Sequence, residues 1–398
     1  MLQPLRHRDF RLLWMGQSVS MLGNAVYGVA LPFQFLALGG SPLQLGTGFT
    51  IFSASQLVVV LFGGAIVDRL PRRSVILTAD LVSGLVVGVI AVLGLARILQ
   101  IPHLYVASAF FGVAVSFYTP AMTAIMPELV PKEVLVAGNS LRSLTGQGAR
   151  VLGPLVGGLI VTAAGPPIAF ALDAGTFIFS FLALLLAHPP RHEPAAPRPL
   201  LSQMREGLAY TISVDWLRTS IVGFAITNAV YFAVFTVALP LLVLKVLHGT
   251  AATFGLIGAA GGVGSIAGAL FVGNLRVKKI GRAMYIGNAL IGASVFVWGL
   301  APFLPLVLFG SFAFATALVG ANTLWESMVQ KHVPAELIGR VSSVDSFGSF
   351  LIGPLAPIVA AAIIERSSPS AIFIWGGALS LAFWTSMLAL NRSVRALE

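Results

Sequence analysis

Five ionisable residues stand inside long apolar runs of this 398-residue sequence: Asp80, Arg150, Asp173, Glu326 and Asp345. A charge at the centre of a bilayer costs about 2.5–3.5 kcal/mol, so such residues serve protons, ions or substrates by default. Arg150 falls near the middle of its run and needs a counter-charge, and Asp173 is the nearest in sequence. That pair is either a proton site or a structural ion pair that never titrates. Asp80, Glu326 and Asp345 lie nearer the ends of their runs, where water wets a carboxyl. A second group is polar but uncharged. Gln17, Ser20, Asn24, Tyr27 and Gln34 follow one another at steps of 3, 4, 3 and 7, which puts all five on one face of a helix. That face belongs toward a cavity or the interior of a bundle, because polar groups against lipid are costly. Together these groups can hold a ligand by hydrogen bonds and exchange a proton. Bond-breaking chemistry has no support. Cysteine is absent, the six histidines fall in loops or termini, and no nucleophile–base pair or metal-ligand cluster stands out. No G-x-x-x-x-G-K-[ST] loop exists for ATP, although a partner subunit could supply one.

The elements that carry these residues are membrane spans. Hydrophobic residues make up 57% and charged residues 10%, against roughly 25% charged in a soluble domain. A spanning helix needs about 20 mostly apolar residues, and twelve runs qualify: 12–38, 45–67, 75–98, 103–126, 138–163, 166–187, 217–246, 252–275, 283–301, 303–328, 341–364 and 370–390. The fold class is all-α, an integral membrane protein. Of the 24 Lys and Arg residues, only Arg97, Lys245 and Arg366 fall in the odd-to-even loops, and Arg150 lies within a span. The rest share one side, which is therefore cytoplasmic and holds both termini. The net charge of +10 follows from this bias, and no nucleic-acid partner is expected.

The chain repeats itself. Asn24-Ala-Val-Tyr27 returns 204 residues later as Asn228-Ala-Val-Tyr231, and each copy is followed by Ala-Leu-Pro. Val130-Pro-Lys-Glu133 returns as Val333-Pro-Ala-Glu336, and Gly153-Pro154 as Gly353-Pro354. Two six-helix bundles of one orientation follow, 1–187 and 216–398. Between them, residues 188–215 form a cytoplasmic linker. It opens with the proline-rich HPPRHEPAAPRP, and Leu201, Met204, Leu208, Ile212 and Trp216 then predict an amphipathic helix at the interface. This is the parallel-repeat plan of secondary transporters.

Between spans two and three stands Gly64-Ala-Ile-Val-Asp68-Arg69-Leu-Pro-Arg72-Arg73. It resembles the G-x-x-x-D-R-x-x-R-R loop of the major facilitator superfamily at every defined position, and the twelve spans and central loop match that family along the whole chain. The resemblance implies that Gly64, Asp68, Arg69, Arg72 and Arg73 form a latch between the halves. The matching loop, Gly273-Asn-Leu-Arg276-Val-Lys278-Lys279, lacks an aspartate. Gly153-Pro154-Leu-Val-Gly157-Gly158 in span five is similar to the antiporter motif of the same superfamily, which favours export over import. Its glycines let another helix approach closely, and Gly258, Gly262, Gly264 and Gly268 make span eight the natural partner. Pro154 is expected to bend the helix. Phe170-Ala-Leu-Asp173-Ala-Gly-Thr176-Phe177, Phe117-Tyr-Thr-Pro120-Ala121 and Ala149-Arg150 resemble the drug:proton antiporter branch that includes macrolide efflux, tetracycline and enterobactin exporters.

That branch implies a proton-coupled exporter of hydrophobic or amphipathic small molecules working by alternating access. A siderophore or metabolite exporter of narrow specificity, or an importer or facilitator, stays open on the same fold. The first and fourth helices of each half would line the cavity. They contribute Gln17, Asn24, Tyr27 and Gln34; Phe111, Tyr118 and Met122; Asn228, Tyr231 and Phe235; and Asn322, Trp325 and Glu326. Glu326 is the best placed of the helix-end carboxyls for proton work, because its span lines the cavity. Asn24 stands where relatives often carry an acid. An amide cannot exchange a proton, so coupling falls to another site or another ion. No cofactor is expected beyond a coupling ion, a proton. A monomer in a bacterial-type inner membrane is the expected state, with the bilayer and a small-molecule substrate as partners.

Overall fold

The computed structural model describes residues 2–67, 70–188, 200–274, 277–300 and 303–395, and every regular element among these is a helix. Six long helices come first: α1 Arg8–Ala37, α2 Pro42–Val67, α3 Arg72–Leu95, α4 Ile101–Leu129, α5 Lys132–Ala164 and α6 Pro166–Leu185. A short helix, α7 Leu200–Ser213, falls where the amphipathic segment was expected. Then follow α8 Asp215–Ala233, a π-helical turn Val234–Ala238, α9 Leu239–Lys245, α10 Ala251–Asn274, α11 Ile280–Leu300, α12 Leu304–His332, α13 Ile338–Phe350, α14 Ala356–Arg366, α15 Pro369–Leu390 and the terminal turn α16 Arg392–Arg395. Eleven helical stretches among the described residues are long and apolar enough to cross a membrane, and α2, with 26 residues, adds a twelfth by length. Helix ends reach beyond the apolar runs because the capping and interfacial turns are polar. The one-residue connection from α5 into α6 is Gly165 at φ 84°, where a side chain would be strained.

The chain forms two compact units, Met1–Pro197 with Gly249–Ala259, and Arg198–His248 with Ala260–Glu398. The first turns of α10 therefore belong to the first unit. Each unit has an apolar core of its own. One gathers Leu13, Met122, Ile125, Met126, Val130 and Leu141; the other gathers Leu217, Trp325, Met328, Val329, Val333 and Val341. These are the same positions displaced by 204, 203, 203, 203, 203 and 200 residues, so the internal repeat extends into the packing.

The two halves differ in their irregular turns. α5 runs unbroken through Pro154, whereas the matching Gly353-Pro354 lies in a 3₁₀ turn, Gly353–Leu355, that separates α13 from α14. Both prolines remove a backbone donor, so their neighbours make the difference. A Cβ added to Gly258 would lie 2.7 Å from Pro154 Cβ, and one on Gly255 would meet the Pro154 carbonyl, so the α10 backbone is packed against that proline. The π-turn in span seven closes with a bond from Leu239 N to Val234 O. The two Ala-Leu-Pro copies stand at 30–32 and 238–240. The second half thus has four more residues than the first between Asn-Ala-Val-Tyr and that landmark, and the π-turn lies among them.

Candidate functional site

A cavity of about 410 Å³ opens in the first unit between α1, α2, α3, α4 and α6. Its wall is mainly aromatic and aliphatic, with Phe49 and Phe52 from α2, Phe111 from α4 and Phe177 from α6. The polar groups are few: Ser20, Asn24 and Tyr27 from α1, Asp80 and Ser83 from α3, and Tyr118 from α4. Tyr27 packs on Phe111 at 4.4 Å between ring centroids and on Phe170 at 5.6 Å. The hydroxyls of Tyr27 and Tyr118 are buried with no hydrogen-bond partner among the described residues. An apolar concavity with a few convergent polar groups is the usual form of a small-molecule site.

The polar stripe of α1 divides by height. Ser20, Asn24 and Tyr27 line the cavity, and Asn24 Nδ2 reaches Ser20 Oγ only at 3.5 Å. Gln17 is buried below it and donates from Nε2 to Ser180 Oγ at 2.9 Å. Ser180 in turn donates to Asp80 Oδ2 at 2.7 Å. Gln34 is buried above, its carbonyl oxygen unpartnered among the described residues. The expectation that Gln17 and Gln34 line the cavity is therefore corrected: Gln17 bonds Ser180 of α6, and Gln34 is buried outside the cavity lining. Met122 is corrected too, since it is buried in the apolar core with Phe10, Leu13 and Met126.

Asp80 overturns the reading of a wetted helix end, being 1% exposed. α3 packs against α6, which carries it inward although it lies only two turns from the start of its helix. Asp173 is fully buried. Its Oδ1 accepts from Thr176 Oγ1 at 3.2 Å, and its Oδ2 has no partner among the described residues. Arg150, the expected partner, is exposed and makes no ion pair with it among the described residues. Near this residue α5 packs on α1, with Gly153 and Gly157 close to Ala25 and Val26.

The latch loop can be followed only in part. Asp68 and Arg69 lie outside the described residues, and Gly64 lies in α2 just before them. Arg72 donates to Ala124 O at 2.6 Å and pairs with Glu128 at 2.5 Å. Arg73 donates to Leu184 O and Leu185 O at 3.2 and 2.9 Å. Both guanidiniums thus bind near the C-terminal ends of α4 and α6, where the helix dipole favours a cation. Arg72→Ala is expected to lower thermal stability in detergent by about 1.5–3 kcal/mol, the worth of a hydrogen bond to a charged group. An unchanged melting temperature would remove this brace.

The antiporter-type motif makes two close approaches within the first unit. Gly153 and Gly157 face α1; Pro154 and Gly158 face the start of α10, where Ala252 N donates to Thr162 Oγ1 at 2.9 Å. Farther along α10, Gly264 and Gly268 meet Phe312 and Thr316 of α12 instead. The glycines of span eight thus serve two neighbours, not span five alone.

In the second unit the candidates separate. Asn228 Nδ2 donates to Ser349 O at 3.0 Å and bridges two helices. Tyr231 stacks on Phe314 at 5.8 Å, and Phe235 packs on the same ring at 5.2 Å. Trp325 is buried, and its Nε1 donates to Asp345 Oδ2 at 2.8 Å, while Asp345 Oδ1 accepts from Ser349 at 2.7 Å. Asp345 is therefore a bonded strut, and Asn322 and Glu326 are exposed. The reading of Trp325 as a cavity residue is corrected: its ring lies in the core against Trp216 and Phe224.

Sequence reasoning missed Ser180, Ser83 and the α2 phenylalanines. Ser180 had a signal: Asp173, Thr176 and Ser180 follow at steps of 3 and 4, the rhythm of Gln17, Ser20 and Asn24. Two antiparallel helices with matching polar faces belong against each other.

Comparison with known proteins agrees with this architecture. The sequence profile of the Major Facilitator Superfamily matches residues 13–357. The enterobactin exporter EntS of Citrobacter koseri is 28% identical over 371 residues, covering 89% of this chain and 86% of the relative. That of Shigella boydii is 28% identical over 393 residues, covering 94% and 92%. Among solved structures, a bacterial homologue of the iron transporter ferroportin superposes with a TM-score of 0.74 at 15% identity, covering 96% of this chain and 99% of that one. The nucleoside transporter NupG superposes with a TM-score of 0.76 at 12% identity, covering 96% and 100%. A profile that matches most of the chain, on twelve spans in a repeated six-helix plan, makes this protein a member of the major facilitator superfamily and a multi-pass membrane transporter.

Proposed function

We propose that the protein is a secondary active exporter that expels a hydrophobic or amphipathic small molecule in exchange for protons, by alternating access. The observation that carries this reading is the cavity of the first unit, an aromatic and aliphatic wall around one carboxyl, one amide, two phenols and two serine hydroxyls. Such a wall takes up an apolar body, and its few polar groups orient it. It offers no cationic cluster for a sugar phosphate or polyanion. The Gly-Pro motif of α5 supports the outward direction, and the basic loops support a bacterial-type cytoplasmic membrane with both termini inside. The loop from Gly64 to Arg73 would serve as the latch between conformations. The likeness to the enterobactin exporters favours a narrower reading within this class, export of a siderophore of that kind.

Transport in proteoliposomes tests the proposal. An imposed pH gradient is combined with tetraphenylphosphonium, a macrolide, tetracycline or enterobactin, and internal pH is recorded. Substrate movement opposed by proton movement is the expected result, and the probe that moves names the class. Movement indifferent to the gradient would overturn proton coupling and leave a facilitator or another ion.

A further inference from the structure

The chain that ends at Asp80 has a direction. Gln17 donates to Ser180 Oγ, so the one hydroxyl proton of Ser180 is free to go on to Asp80 Oδ2. Two bonds thereby join α1, α6 and α3. The second is charge-assisted while Asp80 is ionised, and such bonds are roughly twice as strong as neutral ones. At the far end, Gln17 Oε1 is buried and finds no donor among the described residues. A serine has a single proton to donate, so Ser180 can satisfy Asp80 or Gln17 Oε1, and not both.

We infer that Asp80, positioned by Ser180 and Gln17, carries the coupling proton, and that its protonation reverses the direction of this hydrogen-bond chain. The inference rests on the proton-coupled reading above. When Asp80 takes a proton from water in the cavity it lines, the bond from Ser180 loses its charge assistance. The Gln17 amide then turns over and presents Oε1 to Ser180. One proton enters and the same proton leaves; no other covalent bond changes. The backbones need not part, since a Cβ on Gly16 would already lie 3.0 Å from Ser180 Cα and the two ends of an amide are nearly equal in shape.

The surroundings of Asp80 leave it without a fixed counter-charge. α4 brings Tyr118, which lies in the field of Asp80, and α5 brings Arg142, which acts on the same tyrosine. α6 carries Asp173 two turns from Ser180, bonded to Thr176. α1 offers Gln17 and, higher up, Tyr27; α2 offers only Phe49 and Phe52 to this cavity. On α3 itself, Arg73 is tied to Leu184 and Leu185. No ion pair reaches Asp80 among the described residues.

The second half builds the same junction from groups that stay neutral. Positions 205 and 204 residues after Asp80 and Ser180 hold Tyr285 and Trp384, and Ser220 stands one residue before Ile221, the repeat position of Gln17. Ser220 and Tyr285 share a hydrogen bond of 3.1 Å, and Trp384 stands edge-on to Tyr285 at 4.9 Å. One half therefore carries the titrating junction and the other a permanent one.

Infrared difference spectroscopy of the lipid-reconstituted protein during a pH titration follows the stretching band of a protonated carboxyl without any substrate. Asp80→Asn should lose a titrating band that Asp173→Asn keeps. Ser180→Ala should keep the band and move its midpoint, and Ser180→Thr, which retains a hydroxyl, should bring the midpoint back. Asp80→Glu should still titrate, which guards against reading a misfolded variant as a result. In proteoliposomes probed with enterobactin and with tetraphenylphosphonium, Asp80→Asn should lose substrate-linked proton movement, and Tyr285→Phe should keep it. An Asp80→Asn protein that retains both the band and the proton movement overturns the inference. Wild-type protein that moves a probe but no protons overturns the proton-coupled reading instead, whatever the spectra show of Asp80.

Discussion

Gly255→Val should unfold well below the wild-type temperature, because its side chain has nowhere to go. A Cβ at this position falls on the carbonyl of Pro154, and Gly158 Cα would be 3.2 Å away. Those are backbone atoms of α5, and they cannot rotate aside as a side-chain tip can. Overpacking a filled site costs about 1–3 kcal/mol, and a backbone obstacle places this substitution at the upper end. Gly175→Ala is the matched control. It is an exposed helical glycine with nothing within 4 Å of an added Cβ, and it should gain about 0.5–1 kcal/mol from lost chain entropy. Thermal unfolding of the two in the same detergent decides the matter. Equal melting temperatures for Gly255→Val and wild type would mean that α5 and the start of α10 do not approach as described.

Trp384→Ala is expected to be the costliest single truncation in the second unit. The ring is fully buried and packs on Phe224 at 5.4 Å, on Phe383 at 5.6 Å and edge-on to Tyr285. Its Nε1 donates to Thr227 Oγ1 at 2.8 Å. Removing a buried tryptophan costs about 3–5 kcal/mol. Trp384→Phe separates the two contributions: it keeps an aromatic ring and gives up the donor, which should cost about 1 kcal/mol for the net hydrogen bond plus some lost contact. Denaturant unfolding of both variants would test this order, and a phenylalanine variant as unstable as the alanine one would assign the effect to the hydrogen bond, contrary to expectation.

The spans, the repeat and the family were legible because each rests on a signal spread over many residues. Twelve apolar runs, a charge bias between loops and matched landmarks near one offset all survive error at any single position. The site was legible only in part, because a helical wheel tells which residues share a face and not which neighbour meets them at each height. Asn24 and Tyr27 line the cavity while Gln17, on the same face, serves Ser180. Asp80 looked like a wetted helix end by its place in its run, and only the packing of α3 on α6 shows it buried. Arg150 and Asp173 seemed a pair because they are close in sequence, but one is exposed and the other buried. Met122 and Trp325 are equivalent positions 203 residues apart, and both proved to be core. The repeat itself could have suggested that their shared role is packing.

The π-turn at Val234–Ala238 makes span seven sensitive to residue number. Each residue added to or removed from an α-helix turns everything beyond it by roughly 100°. A wide turn takes up surplus residues without passing the full rotation on. Deleting Val237 from this segment would let the ladder close as ordinary α-helix. The faces on either side would then keep nearly their present setting, whereas a residue deleted elsewhere in the span would rotate the Asn228 and Tyr231 face against Pro240, with every side chain of both retained. A length change without a change of chemistry would thus reset which face of span seven meets Ser349 and Phe314. In this protein the spacing of residues, as much as their identity, is open to natural variation and to design.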